Sequence, residues 1–167
     1  MSRKPELTQQ HSGELSHLEI LQKFRIIVSA AQKYSQRVEK QLGVTGAQLW
    51  IMKEIDVTPG LRVGEVAKKL AIHQTTASNL LDALEKKEMI CKSRQESDQR
   101  IVNLSLTVKG KSLMEKAPEP VRGFLPEALS QMKIEDLLRL GESLEILLQS
   151  IQQVDKEFAL QPLPFTM

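Results

Sequence analysis

Cysteine, histidine and aromatic residues are scarce in this chain of 167 residues, which holds one Cys, three His, one Trp, one Tyr and four Phe. A single cysteine excludes an internal disulfide framework and fits a reducing compartment. Three dispersed histidines and that cysteine give no metal-ligand spacing, so neither a metal nor a cofactor is expected. No apolar run is long enough to cross a bilayer. Met1 to Gln10 is polar and lacks the apolar core of a secretion signal, so a cytoplasmic location is expected. Ser, His and Asp are scattered without motif, and neither paired acids nor a phosphate loop can be found. An enzyme is therefore the least supported class.

The charge that is present is unevenly placed. Residues 1–61 carry eight Lys/Arg and six Asp/Glu, residues 62–111 ten and six, and residues 112–167 five and nine. The positive excess sits in the middle and the acidic excess at the end, as expected if only the middle meets phosphate.

That middle stretch, Leu61 to Leu106, holds two short helix patterns followed by two strand patterns. In the first helix Val63, Val66, Ala67 and Leu70 recur at helical steps while Lys68 and Lys69 face out. Ala71-Ile72 leads to a new start, where His73, Thr75 or Thr76 can cap a helix running to about Glu88. At 100° per residue Ala77, Leu80, Leu81 and Leu84 share one face. Thr75, Ser78, Asn79, Asp82 and Lys86 share the other. Short polar groups near the start of an exposed helix face are what base edges in the major groove accept. Strand character follows at Ile90–Arg94 and Ile101–Leu106, joined by Gln95-Glu96-Ser97-Asp98-Gln99-Arg100. Arg94 and Arg100 flank the turn and can reach the minor groove or its phosphates. Asp98 gains nothing from DNA by charge, so a bidentate pair orienting Arg100 is expected. The order is a helix-turn-helix with a hairpin wing.

The stretch resembles the MarR family of bacterial transcriptional regulators. The matching residues begin at Val44-Thr45-Gly46-Ala47-Gln48-Leu49 and continue through Asn79–Lys87 and Asp98-Gln99-Arg100. They end in Leu106-Thr107-Val108-Lys109-Gly110, and order and spacing fit over roughly residues 15 to 155. The resemblance implies a homodimeric winged-helix protein on double-stranded DNA, usually a repressor released by a small ligand or an oxidant, and associated with the nucleoid. It implies base-reading positions at Ser78 and Asn79, flanked by Gln74, Thr75 and Thr76, and a minor-groove role for Arg100. Lys68, Lys69, Lys86, Arg94 and Lys109 are expected on phosphates. Two departures stand out. Many members carry Arg where this chain has Asn79, which points to a preference for adenine. Many carry Gly where this chain has Glu88, which must continue the helix or adopt a less comfortable backbone.

The flanks read as dimerisation arms. An amphipathic helix from about Leu15 to Leu42 carries Leu18, Leu21, Phe24, Ile27, Val28, Ala31, Tyr34 and Val38 on one side. At ~1.5 Å per residue it is about 40 Å long and needs a further surface to cover it. Gly43 ends it and Thr45 caps a helix to about Ile55, with Gln48, Leu49, Ile51, Met52 and Ile55 inside. Trp50 projects to the opposite side with Lys53 and Glu54. It either packs on a partner subunit or the first helix, or lines a cleft for an aromatic ligand with Tyr34 and Arg37. Thr107 caps a helix that should break at Ala117-Pro118-Glu119-Pro120, with a second piece over Pro126–Met132. From Ile134 to about Val154 a leucine stripe near 3.5-residue spacing marks a packed helix pair. Cys91, beside Ile90, is expected to be buried and inert. Oxidant-sensing relatives place their cysteine near the N-terminus, where this chain has none.

The expected fold is therefore mainly α with a small β-hairpin wing, a winged helix-turn-helix plus helical dimerisation arms. The expected divisions are a flexible tail at 1–14, N-terminal helices at 15–56 and the DNA-binding domain at 57–111. C-terminal dimerisation helices follow at 112–155, and a tail at 156–167 that lies across a partner subunit or is disordered. A rival reading is a winged-helix interaction module that does not bind DNA; another is a redox-responsive repressor using Cys91.

Overall fold

The computed structural model describes residues 16–95, 98–151 and 155–167, with backbone alone for 95 and 98–101. Seven α-helices and one hairpin are present among the described residues. The helices are α1 (His17–Leu42), α2 (Gly46–Val57), α3 (Val63–Leu70), α4 (Gln74–Lys86), α5 (Val108–Met114), α6 (Phe124–Gln131) and α7 (Ile134–Gln149). The strands are β1 (Ile90–Gln95) and β2 (Asp98–Leu106), and two 3₁₀ turns close the chain at Lys156–Leu160 and Pro164–Thr166.

Local chemistry sets the helix ends. Ser16 and Glu19 form a capping box at the start of α1, and Gly43 ends it in the left-handed conformation. Thr45 and Gln48 repeat the box on α2. Helix α2 is the centre of the head. Leu49, Ile51 and Met52 are completely buried, and α1, α3, α4, α5 and β2 all pack around it. Val66, Ala67 and Leu70 of α3 and Ala77, Leu80, Leu81 and Leu84 of α4 face the same core, as their periodicity requires.

The hairpin is antiparallel, with Ile90 opposite Leu106 and Arg94 opposite Val102, a shift after Arg94, and Gln95 opposite Asp98. Both strands thus extend further toward the turn than the sequence pattern indicates. Leu104 roots the wing: its carbonyl accepts from the Gly60 N–H at 2.9 Å and its own N–H donates to Leu61 at 3.0 Å. Thr107 caps α5, where Gly110 lies so close to Met89 that an added Cβ would stand 2.1 Å from the Met89 carbonyl oxygen.

Four expectations are corrected. Helix α4 ends at Lys86, and Glu88 turns the chain left-handed at φ 61° where a glycine would be relaxed. Helix α6 starts at Phe124 rather than Pro126, because a proline in the first turn sacrifices no helical hydrogen bond. Helix α7 ends at Gln149, and the expected continuation over 152–154 lies outside the described residues. The last residues, for which disorder is one expectation, take up two defined 3₁₀ turns. They return to the head of their own chain, where the Leu160 carbonyl accepts from the His73 N–H at 2.9 Å. The expected tail at 1–14 lies outside the described residues.

The arms are bare. Only Tyr34, Ser35 and Val38 of α1 are buried, and no residue of α6 or α7 is. Leu21, Ile27 and Val28 on α1 and Leu138, Leu147, Leu148 and Ile151 on or after α7 stay exposed.

Candidate nucleic-acid interface and cleft

Helix α4 presents Gln74, Thr75, Asn79 and Lys86 to solvent, with Thr76 and Ser78 half-buried beside them. His73 sits at its N-cap without a side-chain cap bond, so neither threonine takes the capping role expected of it. Asp82, read as part of the open face, is turned to the wing instead. Lys92 of β1 bonds the Asp82 carboxylate and reaches Glu85 Oε2 at 2.9 Å. Burial alone would lower the Lys92 pKa, but the hydrogen bonds it donates to the two carboxylates raise it. The Lys92 hydrogen bond holds Asp82 below the ordinary carboxylate range. Two carboxylates on the recognition helix thus fix the strand that carries Arg94, which is exposed. Asp98 and Arg100 are placed in β2 by their backbone; the side-chain pair expected between them lies outside the described residues.

Two of the expected phosphate cations have other partners in the chain. Lys69 Nζ pairs with Glu54 at 3.2 Å. Lys109 Nζ donates to the Lys87 carbonyl at 2.8 Å and meets Glu88 at 3.2 Å, bracing the strained turn. Lys86 stays on the exposed face of α4. Cys91 is exposed, contrary to expectation, with Sγ 3.0 Å from Ser105 Oγ. Successive strand residues point to opposite faces, so a buried Ile90 puts its neighbour outside.

Beside the head a cleft of about 420 Å³ opens between α1, the start of α2, the turn after α3 and the start of α6. Tyr34 and Trp50 line it, as the sequence suggests, but Arg37 does not. Arg37 stacks on the Tyr34 ring, 5.4 Å from its centroid. The Tyr34 hydroxyl donates to the carbonyls of Pro120 at 2.6 Å and Pro118 at 3.0 Å, and its ring meets Phe124 edge-on at 5.0 Å. Burial pushes the phenol up to about 12, with Arg37 pulling the other way and Glu119 adding to the rise. Tyr34 is therefore a protonated brace for the 118–120 bend.

The cation in the cleft wall is Arg122, between α5 and α6. Its Nε donates to Glu54 Oε1 at 2.6 Å. Glu54 is only 3% exposed, against its expected place on the wet side of α2. Three donors explain the burial. Arg122 and the Trp50 indole N–H (3.1 Å) share Oε1, and Lys69 holds Oε2 at 3.2 Å. Burial pushes this carboxyl up, but hydrogen bonds from Arg122, Lys69 and Trp50 outweigh it and the pKa falls. The i,i+4 spacing of Trp50 and Glu54 was the one local sign of this cluster; Arg122 lies 68 positions further on. Among the described residues, no group of three His, Cys, Asp or Glu can hold a metal ion.

A helix-turn-helix with its polar face outward, tied to a hairpin wing and flanked by helical arms, defines a winged-helix DNA-binding regulator. The MarR family model matches residues 44–102. The chain is 27% identical over 122 residues to the transcriptional repressor MdtR of Bacillus subtilis, covering 73% of this chain and 78% of that protein. A MepR-like protein crystallised with pseudoligands superposes with TM-score 0.57 and 27% identity, over 83% of this chain and all of that one. The DNA complex of Staphylococcus aureus MepR superposes with TM-score 0.51 and 25% identity, over 84% of this chain and all of that one. Residues 44–102 carry a MarR-family domain, and the chain is a DNA-binding transcriptional regulator rather than an enzyme.

Proposed function

We propose that this protein is a homodimeric repressor that binds a near-palindromic operator and is released by a small apolar acid held in the cleft. The observation that carries the reading is the open polar face of α4, fixed to the wing through Lys92. In this reading Gln74, Thr75, Thr76, Ser78 and Asn79 read bases, Lys86 and Arg94 meet phosphates, and Arg100, with Asp98 beside it, enters the minor groove. The head spans 57–111 and the arms 15–56 and 112–155. Dimerisation sets the two recognition helices ~34 Å apart, about one DNA turn. The bare apolar faces of α1 and α7 support it, since a partner is the surface such faces require. MdtR bears the name of a repressor, which supports the direction of control.

The cleft supports release by ligand. Its walls are mostly apolar, with Tyr34 and Trp50 for a ring and Arg122 for a carboxylate. It also borders Leu70-Ala71-Ile72, the turn that aims α4. A ligand shifts the spacing of the heads only by binding one spacing better than the other.

The test is capture of sheared genomic DNA at moderate salt by wild type, Asn79→Ala and Arg100→Ala. Wild type is expected to enrich a few palindrome-like sites. Arg100→Ala should weaken all of them, and Asn79→Ala should relax the sequence preference by about 1–3 kcal/mol at one base pair of each half-site. Equal enrichment by all three proteins overturns the assignment of α4 and the wing.

A further inference from the structure

We propose that residues 155–167 are an internal strap that walls and narrows the cleft, competes with its ligand for that side, and braces the recognition helix while in place. The inference rests on the reading of the cleft as a ligand site and adds what controls entry to it.

Ala159, Gln161, Pro162, Leu163, Phe165 and Thr166 form one wall of the cleft. Pro162 and Phe165 are half-buried there, so a proline and an aromatic ring already take up contacts along the side of the space an aromatic ligand would enter. Thr166 reaches the start of α2, where a Cβ built at Gly46 would stand in ordinary contact with its Cβ at 3.6 Å. Pro162 and Pro164 fix φ and keep the segment from continuing as a regular helix.

The strap also holds the DNA-reading element. The Leu160 carbonyl accepts from the His73 N–H at 2.9 Å, and His73 is the N-cap of α4. This is a backbone bond to the residue from which the recognition helix starts. The strap's grip is light, because Phe158, Leu160 and Leu163 remain 67%, 42% and 43% exposed. A segment that buries so little of its apolar surface is easily displaced. A ring that enters against Trp50, with its carboxylate on Arg122, takes the place of Phe165 and frees the His73 N–H. Ligand entry and loosening of the α4 start are then one event.

The test compares the full chain, a chain ending at Asp155, and Phe165→Asp in the full chain. Trp50 is the only tryptophan, so its emission reports on the cleft alone. The probe is naphthoate, an aromatic carboxylate. Truncation is expected to red-shift Trp50 emission and tighten naphthoate binding about tenfold, since the competing state is removed. A free peptide of residues 156–167 should reverse both changes. Deuterium exchange at His73 should quicken in the truncated chain, and in the full chain once naphthoate is added. Phe165→Asp should act in the same direction, which settles the matter if the truncated chain does not fold. Identical Trp50 emission and naphthoate affinity in all three proteins overturn the strap. So does His73 exchange that ignores bound naphthoate. If naphthoate binds none of them, Trp50 emission with and without the peptide decides. Operator capture is measured separately: its loss in every form would sink the repressor reading, while the cleft measurements would still judge the strap.

Discussion

Gly110 is where a single atom decides the packing of the wing. A methyl group there meets the Met89 carbonyl at 2.1 Å, and that carbonyl is backbone, so α5 itself must move. Gly110→Ala is expected to cost about 1–3 kcal/mol, read as a lower urea midpoint at unchanged slope. Glu54 makes a second case. Replacing it by Gln leaves Arg122 and Lys69 facing a neutral oxygen, and both cations are partly in solvent. The expected loss at neutral pH is about 1–3 kcal/mol. Its folded pKa is depressed, so its contribution is present above the ordinary carboxylate pKa and is lost as pH falls through the folded value. Unfolding curves of wild type and Glu54→Gln should therefore converge in acid; a gap that persists there would refute the ionic account. Neither residue's role was visible locally. Gly110 matched a pattern, but the reason for it is a carbonyl across the turn. Glu54 looked solvent-facing because helical phase places a side chain on a face without saying what lies over that face. Cys91 errs in the other direction: strand alternation, applied strictly, would have put it outside.

Among the elements, α4 and the hairpin behave as one part. Lys92 binds Asp82 and Glu85 across the gap, and without it the wing is held at its base, by the Leu104 backbone bonds and the buried Ile90 and Leu106. Lys92→Met is expected to leave the fold intact, since Asp82 and Glu85 are exposed and methionine keeps the half-buried apolar stem of Lys92. DNA affinity should fall about three- to tenfold, the effect of roughly 1 kcal/mol of lost orientation, in a binding titration on captured operator fragments. Unchanged affinity would show that the wing finds its place unaided. The elements themselves were legible because amphipathic period and capping residues are local signals. The Val66–Leu70 and Ala77–Leu84 faces, the caps at Thr45 and Thr107, and the break after α5 all follow from neighbours in sequence. The Lys92 bridge was not legible, for it depends on how far the hairpin leans over the helix.

At the scale of the molecule, two long apolar stripes have nothing among the described residues to cover them. Ile27 on α1 and Leu147 on α7 are 46% and 41% exposed. The double variant Ile27→Asp, Leu147→Asp is expected to sediment as a folded monomer at concentrations where wild type is a dimer, and to lose most operator affinity, because one head alone contacts one half-site. A dimeric double variant would move the interface elsewhere. The stripes could be read from the sequence as helix faces awaiting a partner. The path of the last residues could not, since Leu160-Gln161-Pro162-Leu163-Pro164-Phe165 has no period, and its place is set by a cleft built from residues 31 to 129.

The turn Leu70-Ala71-Ile72 belongs at once to the cleft wall and to the helix-turn-helix. Linkage between two such sites is reciprocal. Whatever factor a cleft ligand removes from operator affinity, the operator must remove from ligand affinity. The protein already seated on its gene is then a duller sensor than the same protein free in solution, and the concentration at which a gene is released depends on how well its operator is matched.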